Sequence, residues 1–132
     1  QNNIITIDAA DIPDLVPTLS VLACFAEGKT KIYNAARLRI KESDRLQAMY
    51  EELTKLGADV EIGDDFIVIN GGKTLYGAQV DSHNDHRIAM SAAIAATCCL
   101  KKTEISGAEA VNKSYPLFWE DYHTLTNKEE EK

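Results

Sequence analysis

The feature that most constrains the fold is an internal repeat spaced by 73 residues. Asp8 and Asp81 each close a strand-like stretch (81 − 8 = 73), and Thr30-Lys31-Ile32 matches Thr103-Glu104-Ile105 (103 − 30 = 73). Lys41 then matches Lys113 at a spacing of 72, so one residue drops out between them. Leu46, Tyr50 and Leu53 keep that spacing with Phe118, Tyr122 and Leu125. Self-similarity at a fixed period means one supersecondary unit used twice. The expected division is a first unit over 1–72 and a second over 73–132.

The first unit reads strand, helix, strand, helix, strand, strand, which makes the chain α/β. Ile4 to Ile7 is strand-like, and Leu15 to Ala26 is so uniformly apolar that a helix buried on all sides is expected. Pro13 and Pro17 fall before or within its first turn, where proline is tolerated, and Gly28 ends it. Lys29 to Tyr33 is a short strand. From Asp44 to Leu56 the residues Leu46, Met49, Tyr50, Leu53 and Leu56 form one apolar stripe. Gln47, Glu51, Glu52 and Lys55 fall on the other, solvated side. Asp59 to Ile62 and Phe66 to Asn70 make a hairpin across Gly63-Asp64-Asp65. The second unit repeats the scheme with a strand at 78–80, an apolar helix at 87–98, a strand at 103–105 and an amphipathic helix at 116–125. The closing strand pair has no counterpart before the sequence stops. With Gln1 in first place and a strand almost at once, the chain reads as a piece of a longer protein.

Composition narrows the function classes. A 132-residue chain with 45% apolar residues can bury a core, and a net charge of −7 excludes general nucleic-acid binding, which needs a broad basic surface. Some of that acidity sits in the run Glu129-Glu130-Glu131, expected to fray. Cys24, Cys98 and Cys99 lie in apolar runs without metal-ligand spacing and are expected as buried, reduced thiols. No signal peptide or membrane-length apolar run stands in the sequence, so a cytoplasmic location is the default expectation.

The chemistry concentrates in two clusters. Arg39-Ile40-Lys41-Glu42-Ser43-Asp44-Arg45 packs both signs of charge into seven residues, and Asn84-Asp85-His86-Arg87 interrupts an apolar neighbourhood. Asp14, the 41–45 run, His86-Arg87 and Lys113 all precede or open a helix, where exposed N–H groups and the helix dipole favour an anion. Cations gathered there point to a bound anion, and arginine forks fit phosphate or carboxylate. Each residue also has a structural reading. Asp14, Asp85 and Ser114 are of N-cap type, and Glu42 pairs readily with Arg39 or Arg45 at the surface. His86 reads as well as a satisfied half-buried histidine, and Lys113 alone is unremarkable. Gly71-Gly72-Lys73-Thr74 lacks the upstream glycine and following helix of a phosphate loop and is expected as a turn. His83 and His86, near Asp81 and Asp85, lack a further partner for a metal, so no metal is expected.

The run Leu38-Arg39-Ile40-Lys41-Glu42-Ser43-Asp44-Arg45-Leu46 resembles the Arg-x-Lys-Glu-(Ser/Thr)-Asp-Arg signature of the 5-enolpyruvylshikimate-3-phosphate synthase family. Asn84-Asp85-His86-Arg87-Ile88-Ala89-Met90 resembles its second signature. Ile12-Pro13-Asp14 and Val111-Asn112-Lys113-Ser114-Tyr115-Pro116 fall where that family has a catalytic aspartate and a late lysine. The resemblance implies an inside-out barrel of repeated units around buried helices, of which this chain would be a partial C-terminal domain. It implies transfer of the enolpyruvyl group of phosphoenolpyruvate to the 5-hydroxyl of shikimate 3-phosphate, with release of phosphate and no cofactor. Asp14 and Glu42 would be the proton-transfer carboxylates. Asp14 and Lys41 would contact shikimate hydroxyls. Arg45, Arg87 and Lys113 would hold phosphoenolpyruvate, with His86 beside them. Arg37 stands where some members have an asparagine, so no role is carried over to it.

The implied partners are the two small-molecule substrates and an N-terminal domain of the same chain, in a monomeric parent that binds neither nucleic acid nor membrane. Two other readings stand beside this one. The related UDP-N-acetylglucosamine enolpyruvyl transferase shares fold and phosphoenolpyruvate but lacks the paired signatures. A non-catalytic anion-binding domain is the second, since half a cleft holds a ligand from one side only.

Overall fold

A computed structural model describes residues 4–126, apart from the side chain of Lys113; the acidic run Glu129-Glu130-Glu131 lies outside the described residues. In chain order the elements are β1 (Ile4–Asp8), α1 (Val16–Phe25), β2 (Lys29–Tyr33), α2 (Arg45–Lys55), β3 (Asp59–Ile62), β4 (Ile67–Asn70), β5 (Gln79–Asp81), α3 (His86–Ala96), β6 (Glu104–Ser106) and α4 (Phe118–Thr126). Short 3-10 turns lie at Pro13–Leu15, Ala36–Ile40 and Ala108–Lys113. The architecture is mixed α/β, with one sheet of order β1-β2-β4-β3 and a two-stranded sheet β5-β6.

The repeat is written into the hydrogen bonds. β1 and β2 run parallel with Thr6 opposite Lys31 and Ile7 opposite Ile32. β5 and β6 run parallel with Gln79 opposite Glu104 and Val80 opposite Ile105, each partner 73 residues on (79 − 6 = 73; 104 − 31 = 73). After each first strand the aspartate turns the chain in one way. Asp8 Oδ1 accepts from Ala10 N at 2.9 Å, and Asp81 Oδ1 accepts from His83 N at 3.0 Å. Ala9 N donates to Tyr33 O, as Ser82 N donates to Ser106 O. A parallel pair needs a crossover, and a helix supplies it in both halves.

β4 pairs antiparallel with both β2 and β3, and the hairpin turn closes with Gly63 N donating to Phe66 O at 3.0 Å. The core lies where α1, α2 and α3 meet this sheet. Val16, Val21, Ile32, Leu38, Leu46, Leu53, Leu56, Ile67, Ile69 and Ile88 are buried there. At about 25 cal/mol per Å² of apolar surface removed from water, such side chains are the main stabilising term.

Several expectations need correction. α1 is not buried all round. Val16, Pro17, Ser20, Val21, Ala23 and Cys24 face the core, while Thr18, Leu22 and Phe25 are exposed. It packs on α3, α2, β2 and β4, which together cover one side. Of the cysteines only Cys24 is buried; Cys98 is exposed because α3 ends at Ala96 and leaves Cys98 in the following turn. On α2 the apolar stripe departs from expectation in mid-helix. Tyr50 is exposed, whereas Glu52, expected in solvent, is buried.

Candidate active site

Four chain segments converge. The 3-10 turn Pro13–Leu15 carries Asp14, and the end of the 3-10 turn Ala36–Ile40 leads into Lys41 and Glu42. The first residue of α2 is Arg45, and the β5–α3 turn delivers Asp85, His86 and Arg87. Each position is fixed locally. Asp44 caps α2 by accepting from Gln47 N at 3.1 Å and pairs with Arg39 at 2.9 Å. Arg39 also donates to Gly63 O at 2.6 Å and Asp64 O at 3.3 Å, pinning the signature to the β3–β4 turn. Asp85 caps α3 by accepting from Arg87 N at 2.9 Å.

Arg45 is the hub and is only 2% exposed. Its Nε donates to Asp85 Oδ2 at 2.8 Å and one Nη to Asp85 Oδ1 at 3.1 Å, a bidentate fork. The same Nη donates to Glu42 Oε1 at 3.0 Å, and the other to Asp14 Oδ1 at 3.1 Å. Ser43 Oγ adds a bond to Asp85 Oδ2 at 2.7 Å. Burial would raise the Asp85 pKa, but the bonds from Arg45 and Ser43 outweigh it and hold the carboxyl below its ordinary 3.8. Burial likewise works against the Arg45 charge, and Asp85 foremost reverses it, so Arg45 is held above its ordinary value.

Around this hub two carboxylates face solvent. Asp14 is about half exposed and collects cations. Lys41 Nζ stands 3.7 Å from Oδ1, and Arg87 approaches Oδ2 at 3.9 Å and the Asp14 carbonyl at 3.5 Å. Asp14 and Arg87 are equivalent positions of the repeat (87 − 14 = 73). Glu42 is also half exposed, and its Oε2 lies 3.7 Å from His86 Nδ1. Arg87 Nε is buried without a hydrogen-bond partner among the described residues. Asp14, Lys41, Glu42, Arg45, His86 and Arg87 are therefore brought together. Lys113 ends the 3-10 turn that packs on α3, and its side chain lies outside the described residues. Asp14 is no helix cap, since Leu15 holds that place before α1 without a side-chain bond, and Ser114 lies before the turn that precedes α4. Two exposed carboxylates held by cations, beside an arginine with an unfilled donor, suit proton transfer next to a bound anion.

His83 turns away from His86, towards α2. Its Nε2 lies 2.7 Å from Glu52 Oε2 and 3.8 Å from Glu51 Oε1, and the three ligand-type atoms fall within 4.8 Å. Glu52 is already engaged by Lys55 Nζ at 2.8 Å and Asp81 N at 2.9 Å, so this group reads as a hydrogen-bonded anchor. Sequence reasoning missed Asp85 as the grip on Arg45 and Glu52 as a buried anion. The spacing of Arg45 and Glu52, seven residues or two helical turns, was the available signal.

The model of the EPSP synthase (3-phosphoshikimate 1-carboxyvinyltransferase) family matches residues 1–122. The chain belongs to the EPSP synthase family. The 3-phosphoshikimate 1-carboxyvinyltransferase of Clostridium acetobutylicum is 58% identical over 121 residues, covering 92% of this chain. That of Methanopyrus kandleri is 50% identical over 117 residues, covering 89% of it. The chain spans 28% and 27% of the length of these two EPSP synthase relatives. Among solved structures, EPSP synthase from Acinetobacter baumannii superposes with a TM-score of 0.75 at 37% identity, over 86% of this chain and 27% of that one. The enolpyruvyl transferase NikO from Streptomyces tendae shares the fold with a TM-score of 0.74 at 22% identity, over 92% of this chain and 27% of that one.

Proposed function

We propose that the chain is a partial C-terminal domain, units 1–72 and 73–132, of a cytoplasmic 3-phosphoshikimate 1-carboxyvinyltransferase. The observation that carries this reading is Asp14 ringed by Lys41, Arg45 and Arg87 in a member of the EPSP synthase family. The substrates are shikimate 3-phosphate and phosphoenolpyruvate, and an N-terminal domain of the same monomeric chain supplies the facing wall of the cleft. No cofactor, nucleic acid or membrane takes part.

The reaction joins the 5-hydroxyl oxygen to the central carbon of phosphoenolpyruvate. The hydroxyl proton leaves to a base, and the methylene carbon gains a proton to give a tetrahedral intermediate. That carbon then loses a proton as the carbon–oxygen bond to phosphate breaks. Asp14 and Glu42 move these protons, and Asp14 and Lys41 orient the shikimate hydroxyls. Arg87 and Lys113 hold phosphoenolpyruvate beside His86. The unpartnered Nε of Arg87 supports its part. Arg45, also given to phosphoenolpyruvate, has a second task here, since its covered guanidinium holds Asp14 and Glu42 in place. Oriented charges of this kind stabilise the developing charge better than mobile water.

The test is phosphate release from the two substrates by the full-length protein that carries this segment. Glu42→Ala and Arg87→Ala are each expected to lower kcat/KM by at least about a hundredfold, the usual loss when a proton-transfer or charge-stabilising group is removed. Wild-type turnover in either variant would overturn these roles.

A further inference from the structure

Arg45, Glu52 and Asp85 are the buried charged residues among those described; the proposed chemistry uses Arg45, and Asp85 grips Arg45. Glu52 is buried with no part in it. It lies seven residues after Arg45, two turns along the same face of α2. Both reach the 81–87 turn with opposite sign. Arg45 grips the Asp85 carboxylate. Glu52 Oε1 accepts from Asp81 N at 2.9 Å, and Oε2 meets His83 Nε2 at 2.7 Å.

That turn holds two successive residues in the left-handed region, His83 at φ 57 and Asn84 at φ 54. Such a backbone is uncommon for residues other than glycine and persists where surroundings determine it. Asp81 Oδ1 ties His83 N and Ser82 Oγ ties Asn84 N at 3.2 Å. Ser82 is held from β6 by Ser106 O and Gly107 O, and Glu52 ties His83 and Asp81 N from α2. Asp85, His86 and Arg87 follow at once. A slip of α2 by two helical turns, the separation of Arg45 and Glu52, would set Glu52 against the Asp85 carboxylate, so the two opposite charges disfavour it.

We propose that Glu52, through His83 and Asp81 N, is a positioning residue that fixes the 81–87 turn and so sets Arg87 and Asp85 against Asp14 and Arg45. Glu52 touches no substrate and acts only through that turn. The kinetic arm of its test rests on the transferase reading; a binding arm does not.

In the full-length protein, KM for phosphoenolpyruvate, kcat and the Kd for inorganic phosphate would be measured for Glu52→Gln, His83→Ala, His83→Gln and Lys55→Met. Glu52→Gln and His83→Ala are expected to raise both KM and Kd about tenfold, the scale of a sub-ångström misplacement, with a smaller change in kcat. His83→Gln, whose amide still donates to Glu52, restores much of the loss. Lys55→Met removes a Glu52 partner outside the turn and leaves both constants at wild-type values. Lowered thermal stability in Glu52→Gln and His83→Ala with unchanged KM and Kd overturns the proposal. Should Glu52→Gln fail to fold, the two His83 variants decide it alone. A wild-type protein without turnover, whose phosphate binding still weakens in Glu52→Gln, sinks the transferase reading and leaves the positioning role standing. A wild-type protein that neither turns over nor binds phosphate overturns both.

Discussion

Asp85 shows how a residue that looks like a cap can carry more. Its carboxylate is fully buried and takes bonds from Arg45, Ser43 and the Arg87 backbone. Asp85→Asn keeps the shape but removes the charge that answers Arg45. Breaking one side of a buried pair costs about 3–5 kcal/mol, so a large drop in the urea midpoint is expected from equilibrium unfolding. Asp85 and Glu52 both titrate below their ordinary values of 3.8 and 4.5. For Glu52, burial pulls upward and Lys55, Asp81 N–H and His83 outweigh it. Groups with depressed folded-state pKa stabilise the fold above those ordinary values and lose that contribution as pH falls through the folded ones. Unfolding midpoints should therefore hold steady from pH 7 to about 5 and drop below about 4, and Glu52→Gln should flatten that drop. The pairing of Glu42 was legible as one of two options, because Arg39 and Arg45 are both close in sequence; Glu42 takes Arg45, and Arg39 turns to Asp44. The depth of Arg45 and Glu52 was not legible. Periodicity scores a charged side chain as solvated, and the partners that make burial tolerable come from the 81–85 segment, 40 residues on from Arg45 and 29 to 31 from Glu52.

Among elements, the clearest constraint lies where β4 leaves the sheet. Gly71 N donates to Gly28 O at 2.8 Å and Gly72 N to Cys24 O at 3.0 Å, so the exit strand lies against the end of α1. A Cβ at Gly71 would run into the carbonyl oxygens of Ala26 and Ala23. Gly71→Ala must separate α1 from β4, and overpacking of that kind costs about 1–3 kcal/mol. Thermal unfolding would check it beside Gly72→Ala, where the added Cβ meets only Glu27 at 3.5 Å and the cost is instead the backbone strain of φ 79. The strands and helices themselves were legible to within two residues. The hairpin β3–β4 and the caps at Asp44 and Asp85 are set by local chemistry, which sequence displays. The exposed flank of α1 was not legible, because an apolar run states a preference for burial without saying how many neighbours arrive to provide it.

For the molecule as a whole, the site is open on one side, with Asp14 and Glu42 each half in water. We expect no phosphate release from the 132-residue chain alone, because exposed charges are screened and a bound anion keeps its hydration. The full-length protein should release phosphate under the same conditions, which a continuous phosphate assay would read directly. The hydrogen-bond pattern recurs at 73 residues through β1/β2 and β5/β6, yet the side chains at equivalent positions 14 and 87 are an aspartate and an arginine. Those two side chains approach each other to 3.9 Å. A faithful duplicate would have set aspartate against aspartate or arginine against arginine there, and like charges repel at that distance. The backbone keeps the symmetry of a duplication, and the site exists because the side chains break it. One copy gives a carboxylate, its twin gives a guanidinium, and their contact makes a polar axis that two identical halves could not have.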